Sequence, residues 1–506
     1  PEVSKATKTQ VTPTLPGMDT VKPVFKYEVP EQTLNYTYKS IPLRPLAMGI
    51  EDDALPFDSY VAAGYGNFST LLLDAGIAKL KGEQFETSIH GKHFSQNGGG
   101  IVSRRSTMTD INAKGSYHLD AGKEIFGGLD FANQGVTHYG GIGDTVTTDA
   151  HIDSLKHNYT SIKAFAGFKN ANNSDWTYAP QLGFQFYGDN QDATEQTIHL
   201  SAPIAYKIQD DLKVGFDIEG HFSKFRNFDT TYWNNRFQIH PYLKYSGKWA
   251  KLNVGFKPTW GMNNVFYVLP DLRLKAVLSE NTVTIHGGWT GDIIRNSFYE
   301  LSTLNPFMNN RYFAQQTKAQ RVYGGLDFSL GQHMTVGGTI AWHQWNHFSQ
   351  FVNDYTTTAD GKYFKNIYDE KVQAISLDAY FKYQVAAFLS VTGTGTWYNF
   401  SYKNDYDKVF HQPKVKLGGS LDIVPIKNLD ISAGISFWDG MYRLLPNNDI
   451  EKLPAFLDLS IKANYGIIPR LSVFLQLNNI LNQEYARWNQ YHVFGFNAIG
   501  GIRFKF

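Results

Sequence analysis

The chain has 506 residues, 47 Lys+Arg against 46 Asp+Glu, a net charge of +1 and no cysteine. This excludes a disulfide scaffold, a thiolate metal site and a cysteine nucleophile, and gives no basic excess for binding nucleic acid. Aromatic residues reach 15% while charged residues make up only 18%, below the roughly 25% of soluble domains.

Residues 1–57 carry Pro1, Pro13, Pro16, Pro23, Pro30, Pro42, Pro45 and Pro56, a density that forbids a helix or central strand and predicts an extended segment. Its apolar anchors Phe25, Tyr27, Tyr36 and Tyr38 are expected to contact a partner or to fill a lumen. The acidic run Glu51-Asp52-Asp53 has oxygen ligands that suit calcium, and reads more simply as a solvated charge cluster.

From residue 58 to 506 the pattern becomes strand, turn, strand, loop, with no second domain boundary. No stretch approaches the roughly 18 apolar residues of a membrane-spanning helix. The mean hydropathy of −0.34 is what lipid-facing residues alternating with polar ones produce. Leu212, Val214, Phe216 and Ile218 alternate with Lys213, Gly215, Asp217 and Glu219. Leu457, Leu459, Ile461 and Ala463 alternate with Asp458, Ser460, Lys462 and Asn464. At the C-terminus Phe494, Phe496, Ile502, Phe504 and Phe506 share one face, opposite Arg503 and Lys505, with Ile499 as the exception on the polar face. Period-two alternation of this kind marks strands with one apolar face. About 22 such strands of roughly 10 residues are counted, the length that crosses a bilayer at a barrel's tilt.

The fold class is therefore all-β: a transmembrane antiparallel meander barrel of about 22 strands with no folded plug domain. Phe494, Phe496, Ile502 and Phe504 are expected to face lipid. Arg503, Lys505, Asp458, Lys462, Lys213, Asp217 and Glu219 are expected to face the lumen. Short turns are predicted at Asp210-Asp211, Ser246-Gly247-Lys248, Lys427-Asn428 and Gly466, and long loops at about 137–157, 292–317 and 348–370. Tyr60, Trp260, Trp342 and Tyr465 are assigned to interfacial girdles. A soluble propeller is disfavoured because no repeat of about 40–50 residues is present.

Two C-terminal features carry a resemblance. The last strand, ending in Ile502, Phe504 and Phe506, is similar to the assembly signal of outer-membrane barrels. Leu477-Asn478-Asn479-Ile480-Leu481-Asn482-Gln483-Glu484-Tyr485 resembles the penultimate-strand motif of TonB-dependent transporters. The resemblance implies an outer-membrane barrel with its signal peptide removed, surrounded by lipid and lipopolysaccharide. The sequence departs from that family in three ways: only 57 residues precede the barrel, a Pro-Gly-Arg motif is missing after Trp488, and Gln10-Val11-Thr12-Pro13 is a poor energy-coupling box. A plugless relative of the Bacteroidota type fits these departures.

No catalytic set emerges. His90 and His93, three apart on a strand, point to opposite faces and cannot share a metal. Gly98-Gly99-Gly100 lies in a loop, not between strand and helix, so phosphate cradling is unsupported. Phe298, Tyr299, Phe307, Tyr312 and Phe313 are expected to form an aromatic surface on an extracellular loop. The expected function is a non-enzymatic barrel subunit of a multi-protein outer-membrane complex, serving protein assembly or export, with other outer-membrane or periplasmic proteins as partners and no cofactor, metal or nucleic acid. The alternative is a channel or receptor for solute uptake.

Overall fold

The computed structural model describes residues 59–82, 84–98, 104–119, 122–141, 154–170, 174–279, 282–331, 333–402 and 406–506. Segment 1–57, with Phe25, Tyr27, Tyr36, Tyr38 and the acidic run at 51–53, lies outside the described residues.

Among the described residues, 22 strands form one antiparallel meander, each paired with its neighbours in sequence. A further short strand, Trp176–Tyr178, runs beside Thr194–Gln209 just below Gln181–Asp189. The ring closes where Ser59–Gly66 pairs with the last strand, Asn497–Lys505, placing Val61 opposite Phe504 and Ala62 opposite Arg503. Closure is what lipid demands, because an open edge would leave backbone N–H and C=O groups with no water to satisfy them. A ring of this size, with strands spaced about 4.8 Å and tilted about 40°, is roughly 44 Å across.

Alternation sets the two faces. Ile502 and Phe504 are exposed on the outer face, as are Val61, Val214, Phe216, Trp260, Trp342 and Tyr465. Tyr60 is a correction to the girdle assignment: its hydroxyl donates to Asp74 Oδ1 at 2.8 Å and its ring lies 5.4 Å from the Arg503 guanidinium, so it points inward. Ile499, the apolar exception on the polar face, is buried with Ala62, Leu72 and Phe474 in a small cluster on the inner wall. The Phe474 ring fills space that glycine leaves: a Cβ on Gly501 would come within 2.2 Å of it, and one on Gly64 within 2.9 Å.

Several boundaries differ from the sequence expectation. The last strand starts at Asn497, so Phe494 and Phe496 precede it. Phe494 does not face lipid; it is buried under the Arg104 guanidinium, 4.4 Å away, and beside Phe68. The turn expected at Gly466 falls after Ile468, and the register is irregular between the two. Most of the loop expected at 348–370 is strand, because Met334–Asn353 and Phe364–Ala386 extend to 20 and 23 residues and project past their neighbours. The turns at Asp210-Asp211 and Lys427-Asn428 lie where the sequence places them.

Candidate functional site

The candidate site is at the rim with the long connections, opposite the rim of short turns. There, segment 295–316 folds inward. Its helix, Phe298–Leu304, starts with a capping box: Ser297 Oγ accepts from the Glu300 N–H at 3.3 Å, and Glu300 Oε2 accepts from the Ser297 N–H at 3.2 Å. Glu300 also holds Arg295 at 2.6 Å. The helix is tied to the wall by the Phe298 N–H, which donates to Glu195 Oε2 at 2.7 Å, and by Tyr187, whose hydroxyl meets Ser302 Oγ at 2.6 Å.

Around the helix, buried rings from wall and loops form one core that includes Tyr159, Tyr187, Phe225, Phe298, Phe307, Tyr312, Phe364, Trp488 and Tyr491. Phe307 and Tyr491 stack with centroids 3.5 Å apart, and Tyr139 meets Tyr491 edge-on at 5.0 Å. The Tyr139 hydroxyl donates to the His492 carbonyl at 2.7 Å, Arg104 Nη1 to the Val493 carbonyl at 2.8 Å, and the Tyr491 hydroxyl to the Lys362 carbonyl at 2.5 Å.

These three contributors come from distant points of the ring. Tyr139 follows the fifth barrel strand, Phe307 lies between the thirteenth and fourteenth, and Tyr491 precedes the last. Residues so far apart on a ring roughly 44 Å across touch only if their segments reach inward over the opening. The loops therefore form a lid across the mouth. A second cluster, Trp438, Met441, Leu453, Phe456, Tyr485 and Val493, joins segments 440–455 and 479–496 to it.

The aromatic loop expected as an open surface is mostly the inside of this lid. Phe298, Phe307 and Tyr312 are buried and Tyr299 is packed against the core, while Phe313 is 69% exposed. The capping signature Ser297-Phe298-Tyr299-Glu300 was the readable cue, since S-x-x-E before an apolar run marks a helix start. Nothing comparable announced that 479–496 would fold inward.

His411 is a buried imidazole within the lid. Its Nδ1 lies 3.1 Å from the Phe351 carbonyl and its Nε2 accepts from the Asn489 N–H at 3.2 Å, so the ring must be neutral, with its proton on Nδ1. Burial, only partly offset by the bond to Phe351 and assisted by Arg487 and Arg443, pushes its pKa down to about 3. A depressed value means that His411 stabilises the lid above the unfolded value of about 6.5 and loses that contribution as pH falls towards the folded value. Hydrogen exchange of segment 486–492, corrected for intrinsic rates, is expected to accelerate between about pH 7 and pH 4. In His411→Gln that acceleration should shrink.

Below the lid the wall is polar. His90 pairs with Asp74 at 2.9 Å, His240 with Asp271 at 3.0 Å and His286 with Asp327 at 3.2 Å. Of the residues expected in the lumen, Asp458 is buried and accepts from the Tyr485 hydroxyl. Asp217 lies 3.6 Å from His240, Glu219 lies 2.5 Å from Arg236, and Arg503 lies over Tyr60. Lys213, Lys462 and Lys505 stand at positions of the same parity on their strands. Ser376 Oγ lies 3.0 Å from His343 Nε2, but Asp378 accepts from the serine, at 3.3 Å, and does not orient the histidine. That arrangement lacks the oriented base a serine nucleophile needs.

No family's sequence profile matches the chain, and no curated protein sequence is similar to it. Its fold is similar to those of several receptors. A variant of the ferric enterobactin receptor PfeA from Pseudomonas aeruginosa, in complex with enterobactin, is 11% identical over 88% of this chain and 81% of that one, with a TM-score of 0.69. The FrpB iron transporter of Neisseria meningitidis is 9% identical over 89% of this chain and 83% of its own, with a TM-score of 0.70. FpvA of P. aeruginosa, bound to a pyoverdine, is 13% identical over 89% and 72%, with a TM-score of 0.65. The likeness is one of fold. The chain is thus, over its described residues, a closed antiparallel β-barrel of 22 strands whose fold is similar to those of these receptor and transporter structures.

Proposed function

We propose that this chain is a non-enzymatic outer-membrane barrel that works closed, as a subunit of a multi-protein outer-membrane complex concerned with protein assembly or export. Lipid and lipopolysaccharide surround its apolar belt, and the extended segment 1–57 and the outer surface of the lid meet protein partners. The observation that supports this reading is the lid, in which segments from three distant points of the rim share one aromatic core. A passive porin keeps an aqueous channel, whereas a hydrogen-bonded core across the mouth leaves a surface for proteins in place of an eyelet. Extended segments such as 1–57 suit addition to a neighbour's edge or groove.

Solute uptake is the second reading, favoured by likeness to proteins described as a ferric enterobactin receptor and an iron transporter. One similar structure is itself described as a complex of FpvAI with pyocin S2. Gentle detergent extraction with quantitative mass spectrometry separates the two readings. Stoichiometric co-purification of the same proteins after crosslinking in cells is expected. Recovery of a lone barrel whose conductance depends on an added solute would establish the uptake reading instead.

A further inference from the structure

The inner wall carries a three-point cluster that none of the roles above uses. Glu219 and His221 stand two apart on strand Leu212–Arg226, so both point to the same face. His199 lies directly opposite His221 in the ladder with strand Thr194–Gln209. The two imidazoles lie 4.4 Å apart, His221 Nε2 is 2.9 Å from Glu219 Oε1, and one ligand atom from each of the three residues falls within 4.8 Å of the others. All three are half-buried.

We propose that His199, Glu219 and His221 form a binding site for a divalent transition metal, Zn²⁺ or a close relative, on the lumen wall beneath the lid. Two imidazoles and one carboxylate are a ligand set that first-row metals accept, and three protein ligands leave a further position for water or a passing ligand. Binding replaces the His221–Glu219 hydrogen bond with two bonds to the metal, and the ring's proton moves to Nδ1.

Three cations oppose metal binding: Arg236, Arg295 and Lys163, the last acting on His199. Arg236 lies 2.5 Å from Glu219 Oε1, but its other nitrogen is engaged by Asp292 at 3.1 Å and by the Ile293 carbonyl at 3.1 Å. Arg295, bonded to Ser223 at 3.3 Å two residues beyond His221, is neutralised by Glu300. A neighbouring guanidinium weakens cation binding without occupying the second oxygen of Glu219. The site is therefore expected to exchange its metal readily. The inference is independent of whether the barrel works closed or as an uptake receptor.

The test uses the full, untagged chain in detergent, stripped with a chelator and titrated with Zn²⁺ alone by calorimetry. One ion per chain is expected, with affinity falling more than roughly tenfold in His199→Ala and in His221→Ala. His286→Ala, which removes a wall histidine paired with Asp327, should bind as the parent does. Co²⁺ added to the unmutated chain should give visible absorption bands of a low-coordinate site, a reading that needs no variant to fold. Absence of those bands, absence of Zn²⁺ binding, or equal losses in His286→Ala and His199→Ala would overturn the assignment.

Discussion

Phe307→Ala combined with Tyr491→Ala, in a chain lacking residues 1–50, is expected to conduct ions across a planar bilayer, while the same truncated chain with both rings intact stays closed. The two rings are stacked at the centre of the lid core, where segments from separate parts of the rim meet. Truncating a buried aromatic to alanine costs about 3–5 kcal/mol, and because these two touch, their losses couple and do not simply add. What is lost is cohesion between loops, since the strands are held by their own ladders around the ring. Detergent-resistant, heat-modifiable gel mobility should therefore persist. A ring roughly 44 Å across gives large current steps once its cover opens. Conduction by the truncated parent with an intact lid would place the seal in residues 1–50. Silence of the double variant would show that the loops are not what closes the mouth.

The strands were legible because a bilayer leaves a simple imprint on sequence: one residue to lipid, the next to the lumen. Leu212 to Glu219 and Leu457 to Asn464 display it without interruption, and the structure places strands over both. The strand number followed from counting the alternating segments, each about the length needed to cross the membrane. The pattern misled where strands leave the lipid. Met334–Asn353 and Phe364–Ala386 continue well past the membrane, where neither face meets hydrocarbon, so alternation fades and a loop was expected. Phe494 misled for the opposite reason: its parity suited the last strand, yet the chain before Asn497 turns inward and buries the ring under Arg104.

The lid was hidden for a deeper reason. Its core joins Tyr139, Phe307 and Tyr491, residues that lie about a third of the ring apart, and no local period records a contact of that kind. Aromatic richness in 298–313 indicated that something must pack there, without saying whether the partner was a ligand or the molecule itself. The His199, Glu219 and His221 cluster was half visible. Alternation puts Glu219 and His221 on one face, but only the ladder register brings His199 opposite them.

The inward-folded lid is tested most directly by thiol accessibility on intact cells, because the chain has no cysteine of its own. Ser302→Cys places a single thiol on the buried face of the helix, at a position with no exposure, and Phe313→Cys places one at a position that is 69% exposed on the same segment. Both lie between the same two strands, so they share topology and differ in burial. With a membrane-impermeant maleimide added outside, rapid labelling of Phe313→Cys and protection of Ser302→Cys until the protein is denatured is the predicted result. Equal labelling of both thiols on folded protein would contradict the packed lid.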